Sequence, residues 1–164
     1  RLQLALDKLQ APRRNDADEV PLAHWWHGLR ERYASADIDF EAGIEDDVWI
    51  PEEVFDTVAE NLLENARYKR LSEPGIRIRA RLRSDASGVR LEVHDSGSPI
   101  PARTAALLFE SVVESRTGLG IGLHQASRAA RAHGYRLSLT ENRRGVGFEL
   151  SSAGSEPKPV RGGS

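Results

Sequence analysis

The chain has 164 residues, of which 39% are hydrophobic and 29% charged, and its formal net charge is −2 at pH 7. These values predict one globular domain with a substantial core and exclude a general attraction to nucleic acid or anionic membranes. The absence of cysteine excludes disulfides and thiolate metal sites, which is compatible with a cytoplasmic location, and no apolar run or signal peptide predicts membrane insertion. The chain starts at Arg1 and contains no methionine, so we expect it to be a piece of a longer protein.

The two ends of the chain differ from its middle. Three leucines with helical spacing predict that residues 1–11 are the end of a helix. Residues 12–19 are polar and open with a proline, which is typical of a linker. We expect the folded domain to cover residues 20–151 and the Gly, Ser and Pro-rich tail of residues 152–164 to be disordered.

The segment after the linker predicts two helices around two short strands. Residues 21–33 form a helical pattern that directs four side chains inward, namely Trp25, Trp26, Leu29 and Tyr33. Alternating apolar residues predict a strand over 38–42 and a shorter one over 48–50. Pro51 followed by two glutamates is typical of a first helical turn, and this helix continues to about Arg70.

A hairpin and a short helix come next. Residues 76–82 and 89–93 alternate as strands around a turn at 84–88. A short helix is expected over residues 102–109.

A helix and a second hairpin close the domain. The helix follows the glycine-rich residues 118–123 and ends at Gly134, which predicts a left-handed cap. The hairpin pairs residues 137–140 with 146–150 around a turn at 142–145. This order predicts an α+β fold in which a mixed or antiparallel sheet is covered on one face by helices.

Two asparagines stand out in the helix after Pro51. Asn61 and Asn65 are four residues apart, so a helix places them on one face. Asparagine is a mediocre helix former, and such a pair is more often solvated surface than a ligand site. The carbonyl oxygen of Asn65 suits Mg²⁺, which prefers oxygen ligands. Lys69, one turn later, can reach phosphates as a point charge, but taken alone it is a solvated helix end.

Asp95 is the second candidate. It follows a predicted strand and precedes Gly97, so its carboxylate is expected at a strand end beside a flexible turn. There it can accept a hydrogen bond from the exocyclic amine of adenine and would repel the carbonyl oxygen of guanine. An aspartate that only orders the turn through its own backbone is the alternative.

The third candidate is the run Gly118, Gly120 and Gly122 at the start of a helix. Alternate glycines let a ligand approach the backbone closely, and free N–H groups at a helix N-terminus favour an anion. The run lacks the Gly-Lys-Ser/Thr of a Walker loop. It also lacks the preceding strand and following acidic residue of a dinucleotide fingerprint.

The order of these three features resembles the ATP-binding catalytic domain of sensor histidine kinases, in the family that includes gyrase-type ATPases and Hsp90 chaperones. Residues 61–65 are similar to the N box, 95–97 to the first glycine box, 108–110 to the phenylalanine box and 118–123 to the second glycine box. The resemblance covers residues 20–150. It implies the Bergerat fold, a two-layer α/β sandwich that holds ATP between its helices and a lid.

The resemblance also implies roles for individual residues. Asn65 would bind Mg²⁺, and Asn61 would contact the triphosphate or the shell of the metal. Asp95 would recognise adenine with Gly97 beside it. The lid and phosphate contacts would come from the second glycine box, which contributes Gly118, Gly120, Gly122 and Leu123. ATP and Mg²⁺ are therefore the expected cofactors.

One position bears on the reaction class. In the ATPase branch of the family, a glutamate four residues before the metal asparagine activates water as a general base. Here Asn61 occupies that position, and Glu60 is rotated by about 100° on the helix. This favours phosphoryl transfer to a protein over hydrolysis.

The sequence departs from the family pattern in three places. Pro99 replaces the second glycine of the first glycine box, which stiffens the turn. Tyr68 occupies the usual position of the basic residue and displaces it to Lys69, which puts the phosphate role of this lysine in doubt. The lid, residues 110–117, is short, and Arg116 within it is a candidate to supply the missing phosphate charge.

The resemblance implies a partner outside the chain. None of the five histidines lies in the helical context of a phosphate acceptor. The acceptor is therefore expected on a dimerisation and histidine phosphotransfer domain of the same protein, to which residues 1–11 would belong. A response regulator and a homodimeric full-length protein are also implied.

Three alternatives stay open at this point. A degenerate nucleotide-sensing or pseudokinase module would explain Pro99, Tyr68 and the short lid. A serine kinase of the anti-sigma-factor type would share the fold. A gyrase-like ATPase is the least favoured, because it needs a general base at the position of Asn61.

Overall fold

The structure is a computed structural model that describes residues 18–109 and 119–153. The described residues form four helices and seven strands. In chain order these are β1 (Glu19–Pro21), α1 (Leu22–Arg32), β2 (Ile38–Ile44), β3 (Trp49–Pro51), α2 (Glu52–Ser72), β4 (Ile78–Asp85), β5 (Gly88–Asp95), α3 (Ala102–Leu107), α4 (Leu119–Ala132), β6 (Tyr135–Arg143) and β7 (Gly145–Ser152).

Five strands form one mixed sheet in the order β2-β4-β5-β7-β6. β2 runs parallel to β4, and the other neighbouring strands are antiparallel. β1 and β3 form a separate antiparallel pair. The predicted α+β, two-layer fold with a mixed sheet is confirmed.

The core lies between this sheet and the helices. Alternate residues of β4 and β5, among them Leu82 and Leu91, point inward and are fully buried. The residues between them on the same strands, such as Arg81 and Glu92, are only partly buried on the other face. The helices contribute apolar residues at helical spacing. These include Trp25 and Leu29 from α1, Phe55, Leu62 and Ala66 from α2, and Leu123, Ala126 and Ala130 from α4.

The ends of the elements differ from the sequence expectations. The first hairpin turns on two residues, because Asp85 pairs with Gly88, and not on the predicted five. The second turns on Arg144 alone, with Gly145 at φ +104°. Gly134 has φ +78°, which confirms the predicted left-handed cap. The strand β1, which begins at Glu19 inside the predicted linker, was missed.

Several expectations fall outside the described residues. These are the helix end at 1–11, most of the linker, the lid with Arg116, Gly118, and the tail from residue 154. Ser152, predicted as the first residue of the tail, is the last residue of β7. No helix in the described part of the chain is long and apolar enough to cross a membrane.

Candidate functional site

A cavity of about 380 Å³ opens between α2, the ends of β5 and β7, and the loop that follows β5. Its wall is largely apolar and comes from Leu62, Ala66, Val93, Ile100, Val146 and Phe148. Phe148 is contacted edge-on by Phe109, with the ring centroids 6.2 Å apart. Three of the polar candidates also line the cavity, namely Asn65, Lys69 and Asp95. An apolar recess with a few convergent polar groups is typical of a small-molecule site.

Asn65 lies on the cavity side of α2, one turn before Lys69. Its Nδ2 atom is buried and has no hydrogen-bond partner among the described residues. A buried amide group without a partner is costly, because it has given up hydrogen bonds to water. A ligand with an acceptor atom within hydrogen-bond distance of this NH₂ group would remove that cost.

Asn61 lies one turn earlier and faces the start of α4. Its Nδ2 donates to the Thr57 carbonyl at 2.7 Å. A Cβ added to Gly122 would lie only 2.2 Å from Asn61 Oδ1, so a side chain at position 122 would collide with the asparagine. Gly122 therefore allows α4 to approach the asparagine face of α2.

The described residues fit a metal held mainly by phosphate oxygens and water. Outside the undescribed segments, no group of three or more His, Cys, Asp or Glu side chains is arranged to hold a metal ion. A carboxamide in the cavity matches the way Mg²⁺ is bound in nucleotide sites, through one or two protein oxygens together with phosphates. Asn65, through its carbonyl oxygen, is the residue that would hold it.

Asp95 is the last residue of β5, and only 7% of its surface is exposed. Its Oδ1 atom accepts hydrogen bonds from the Gly97 N–H at 2.9 Å and from Lys69 Nζ at 2.8 Å. Among the described residues, both donors to this carboxylate bond to Oδ1. This leaves Oδ2 for a ligand. Asp95 thus orders the turn, as the alternative interpretation expects, and also lines the cavity.

Gly145, on β7, lies against Asp95 from the other side. Its φ is +104°, and a Cβ there would lie 2.1 Å from the Asp95 carbonyl oxygen. Only glycine combines this backbone conformation with such a close approach. The end of β5 is therefore held by its neighbour in the sheet.

Lys69 is placed differently from the sequence expectation. The ammonium group bonds to Asp95 and to the Ser98 carbonyl, the latter at 2.5 Å, and so faces the end of β5. The shift of one position from Tyr68 to Lys69 rotates the lysine by about 100° around the helix axis. Tyr68 also lines the cavity, with 52% of its surface exposed.

Two residues that the sequence analysis missed hold the loop after β5. Glu73 accepts from the Ser98 N–H at 2.9 Å and from its hydroxyl at 2.8 Å, and these hydrogen bonds lower the pKa of Glu73. Asn142 accepts from the Ile100 N–H at 2.7 Å and donates to its carbonyl at 2.9 Å. In the sequence, the one sign of this contact was an asparagine in the last hairpin, and we expected Asn142 to lie in the turn.

Glu60 lies away from the cavity. Its Oε1 accepts from Arg32 Nη1 at 2.6 Å, on the side of α2 that faces α1. Glu60 does not line the cavity that Asn65 lines, and this agrees with the rotation expected from the sequence.

The other predicted residues that the structure describes do not line the cavity. Gly97 lies next to a residue that does, since its N–H donates to Asp95. Gly120 and Gly122 lie in the first turn of α4. The side chain of Leu123 is fully buried in the core, so a contact with nucleotide would have to come from its backbone. Arg116 and Gly118 lie outside the described residues.

Comparisons with solved structures show that other proteins share this fold. The catalytic domain of histidine kinase ThkA, in a nucleotide-free form, matches with a TM-score of 0.62 and 20% identity over 82% of this chain and 94% of its own. The mycobacterial sensor histidine kinase MprB matches with a TM-score of 0.60 and 25% identity over 82% and 95% of the two chains. Full-length ShkA in complex with AMPPNP matches at 18% identity and a TM-score of 0.60 over 82% of this chain and 31% of its own.

Sequence comparisons give the family directly. No curated protein matches this chain. Residues 51–154 match the family described as histidine kinase-, DNA gyrase B-, and HSP90-like ATPase. These residues are more than half of the chain and include α2, the cavity and both hairpins. The chain therefore belongs to the histidine kinase-, DNA gyrase B- and HSP90-like ATPase family.

Proposed function

We propose that this chain contains the ATP-binding catalytic domain of a two-component sensor histidine kinase. It would transfer the γ-phosphoryl group of ATP to a histidine on a dimerisation domain of the same protein. The observation that carries this proposal is the shared cavity, in which Asn65 and Asp95 meet although they are far apart in sequence. Family membership and the likeness to histidine kinase catalytic domains support it.

The proposed roles follow from the chemistry of each side chain. Asp95 accepts a hydrogen bond from the base, and the apolar wall of the cavity packs against the ring. Asn65 and Asn61 hold the metal and the triphosphate, and Gly120 with Gly122 brings backbone N–H groups of α4 close to them. Bound Mg²⁺ supplies positive charge that offsets the charge of the phosphates.

Transfer is favoured over hydrolysis because Asn61 occupies the position, four residues before the metal asparagine, at which the ATPase branch of the family carries its general-base glutamate. Glu60 is paired with Arg32, and Asn61 cannot act as a base. Catalysis then rests on holding ATP in position until an acceptor arrives. Steady release of phosphate from ATP by the isolated chain would contradict this.

Nucleotide titration of three variants tests the proposal. Asn65→Ala should weaken ATP binding at least about tenfold in the presence of Mg²⁺ and much less without it. Asp95→Ala should weaken binding by a similar factor with or without the metal. Asp39→Ala, which removes an exposed carboxylate from β2, is the control and should bind like the wild type.

Two further measurements separate the alternatives. The pairing of Lys69 with Asp95 favours a degenerate nucleotide-sensing module, because it engages the lysine expected at the phosphates. Millimolar or absent ATP binding would select that module. Acid-stable label on a partner serine would select a serine kinase, whereas acid-labile label on a histidine supports the proposal.

The proposed partners follow from the same assignment. A structure of ThkA in complex with the response regulator TrrA matches this chain over 82% of its length and 40% of the ThkA chain. We propose a response regulator, a homodimeric parent protein and a cytoplasmic position for this domain. Transfer of label from the parent protein to a co-purified regulator would test the first of these.

A further inference from the structure

The ammonium group of Lys69 lies at the base-recognition end of the cavity. It contacts Asp95 Oδ1 at 2.8 Å, and the two side chains are 21% and 9% exposed. An ammonium group has three N–H donors. Asp95 and the Ser98 carbonyl use two of them, and because Lys69 lines the cavity, the third is available to a ligand.

A carboxylate alone and a carboxylate beside an ammonium recognise different bases. Asp95 alone would accept from the N6 amine of adenine and repel the O6 oxygen of guanine. Lysine is a common donor to guanine O6, and guanine carries N–H donors next to that oxygen. Adenine presents the opposite order, with the N6 amine beside the N1 acceptor. A donor next to an acceptor in the cavity therefore matches either purine.

We propose that Lys69 is a specificity-determining residue and that this cavity accepts guanine as well as adenine nucleotides. In the guanine complex Lys69 donates to O6, and Asp95 Oδ2 accepts from the adjacent N–H groups. In the adenine complex Asp95 accepts from N6, a hydrogen bond that does not need Lys69. This inference rests on the proposed function, namely that the cavity binds a nucleoside triphosphate.

The surroundings of Lys69 hold it in this position. A Cβ added to Gly97 would lie 2.7 Å from Lys69 Cε, so the lysine stem packs directly on the glycine. Ser98, whose carbonyl accepts from Lys69, is itself bound by Glu73. The loop and the lysine thus stabilise each other, and the ammonium stays beside Asp95.

Binding of ATP and GTP, each with Mg²⁺, to four forms of the chain tests this inference by calorimetry. In the wild type we expect the two dissociation constants to differ by no more than about tenfold. Lys69→Met keeps the apolar stem and removes the charge. It should weaken the binding of GTP relative to the binding of ATP by a further factor of about ten or more. Lys69→Arg keeps the charge and should keep the wild-type ratio within about threefold.

The control is Arg67→Met, on the same helix but outside the cavity, where Arg67 pairs with Glu64. It should leave both dissociation constants unchanged, and thermal melting of each variant shows that it is folded. GTP binding that is more than about tenfold weaker than ATP binding in the wild type would overturn the inference and leave the proposed function intact. An unchanged ratio in a folded Lys69→Met variant would also overturn it. Failure of both nucleotides to bind would overturn the proposed function as well.

Discussion

The contact between Asn61 and Gly122 joins α2, which lines the cavity, to the start of α4. Gly122→Ala would put a methyl group 2.2 Å from Asn61 Oδ1, so either the asparagine or the start of α4 must move. We expect a loss of stability of about 1–3 kcal/mol, as for an overpacked core site, together with weaker binding of ATP with Mg²⁺. Urea denaturation and nucleotide titration measure the two effects.

Gly28→Ala is the matched control for this substitution. Gly28 lies inside α1, and a Cβ there would meet nothing within 4 Å. Alanine in a helix interior should stabilise the chain by about 0.5–1 kcal/mol and leave nucleotide binding unchanged. If Gly122→Ala behaved like Gly28→Ala, the close approach of α4 to Asn61 would not matter for the site.

At the residue scale, the sequence predicted where a site residue lies on its helix or strand better than which residues it contacts. Asn65 and Asp95 were placed correctly on a helix face and at a strand end, because both depend on local periodicity. The partner of Lys69 was not predicted, because its contact with Asp95 joins residues 26 positions apart. Asn142 was missed for the same reason, since its contact with Ile100 spans 42 positions.

At the element scale, the loop after β5 depends on the last hairpin. Asn142 on β6 makes two hydrogen bonds to the backbone of Ile100, which lines the cavity. Asn142→Ala should cost about 1–3 kcal/mol, because the N–H and carbonyl of Ile100 lose their partners in a half-buried site. The loosened loop should also bind ATP more weakly.

Chemical denaturation and nucleotide titration would show both effects of Asn142→Ala. Asn142→Asp offers a finer comparison, since the carboxylate still accepts from the Ile100 N–H but repels its carbonyl. We expect its stability to lie between those of the wild type and Asn142→Ala. Equal stability of all three chains would show that Asn142 does not hold the loop.

The elements themselves were largely predictable, and their ends were not. The helices and both hairpins follow from periods of 3.6 and 2 residues in the sequence. The strands extend beyond the predicted bounds because pairing across the sheet continues to Asp85 and Arg143. β1 has three residues and exists through its pairing with β3, so no local pattern indicates it.

At the scale of the whole molecule, aromatic contacts join the helices to the sheet. Trp25 on α1 meets Phe55 on α2 edge-on, with centroids 5.2 Å apart, and Phe55 meets Tyr135 on β6 at the same distance. Such contacts add to the apolar burial that holds the two layers together. The fold was predictable because the order of the motifs is specific, whereas the strand order depends on contacts that the sequence does not display.

Tyr33 makes the stability of this assembly sensitive to alkaline pH. Burial against α2, reinforced by Glu64 and Glu60, raises the pKa of Tyr33 from 10.0 to about 12. Between these two values the unfolded chain loses the phenol proton and the folded chain keeps it, so ionisation favours unfolding and stability falls as pH rises through this window.

Tyr33→Phe removes this dependence. At pH 7 it should lower stability by about 1 kcal/mol, since the hydrogen bond to Glu64 is lost. Above pH 10 the stability of the wild type should fall towards that of Tyr33→Phe. Only the wild type has a phenol at this position, and its ionisation favours the unfolded chain. Urea denaturation at pH 8, 10 and 11 measures the difference, with Tyr68→Phe as the exposed control. A constant difference between wild type and Tyr33→Phe across these pH values would show that the phenol of Tyr33 ionises equally in the folded and unfolded chains.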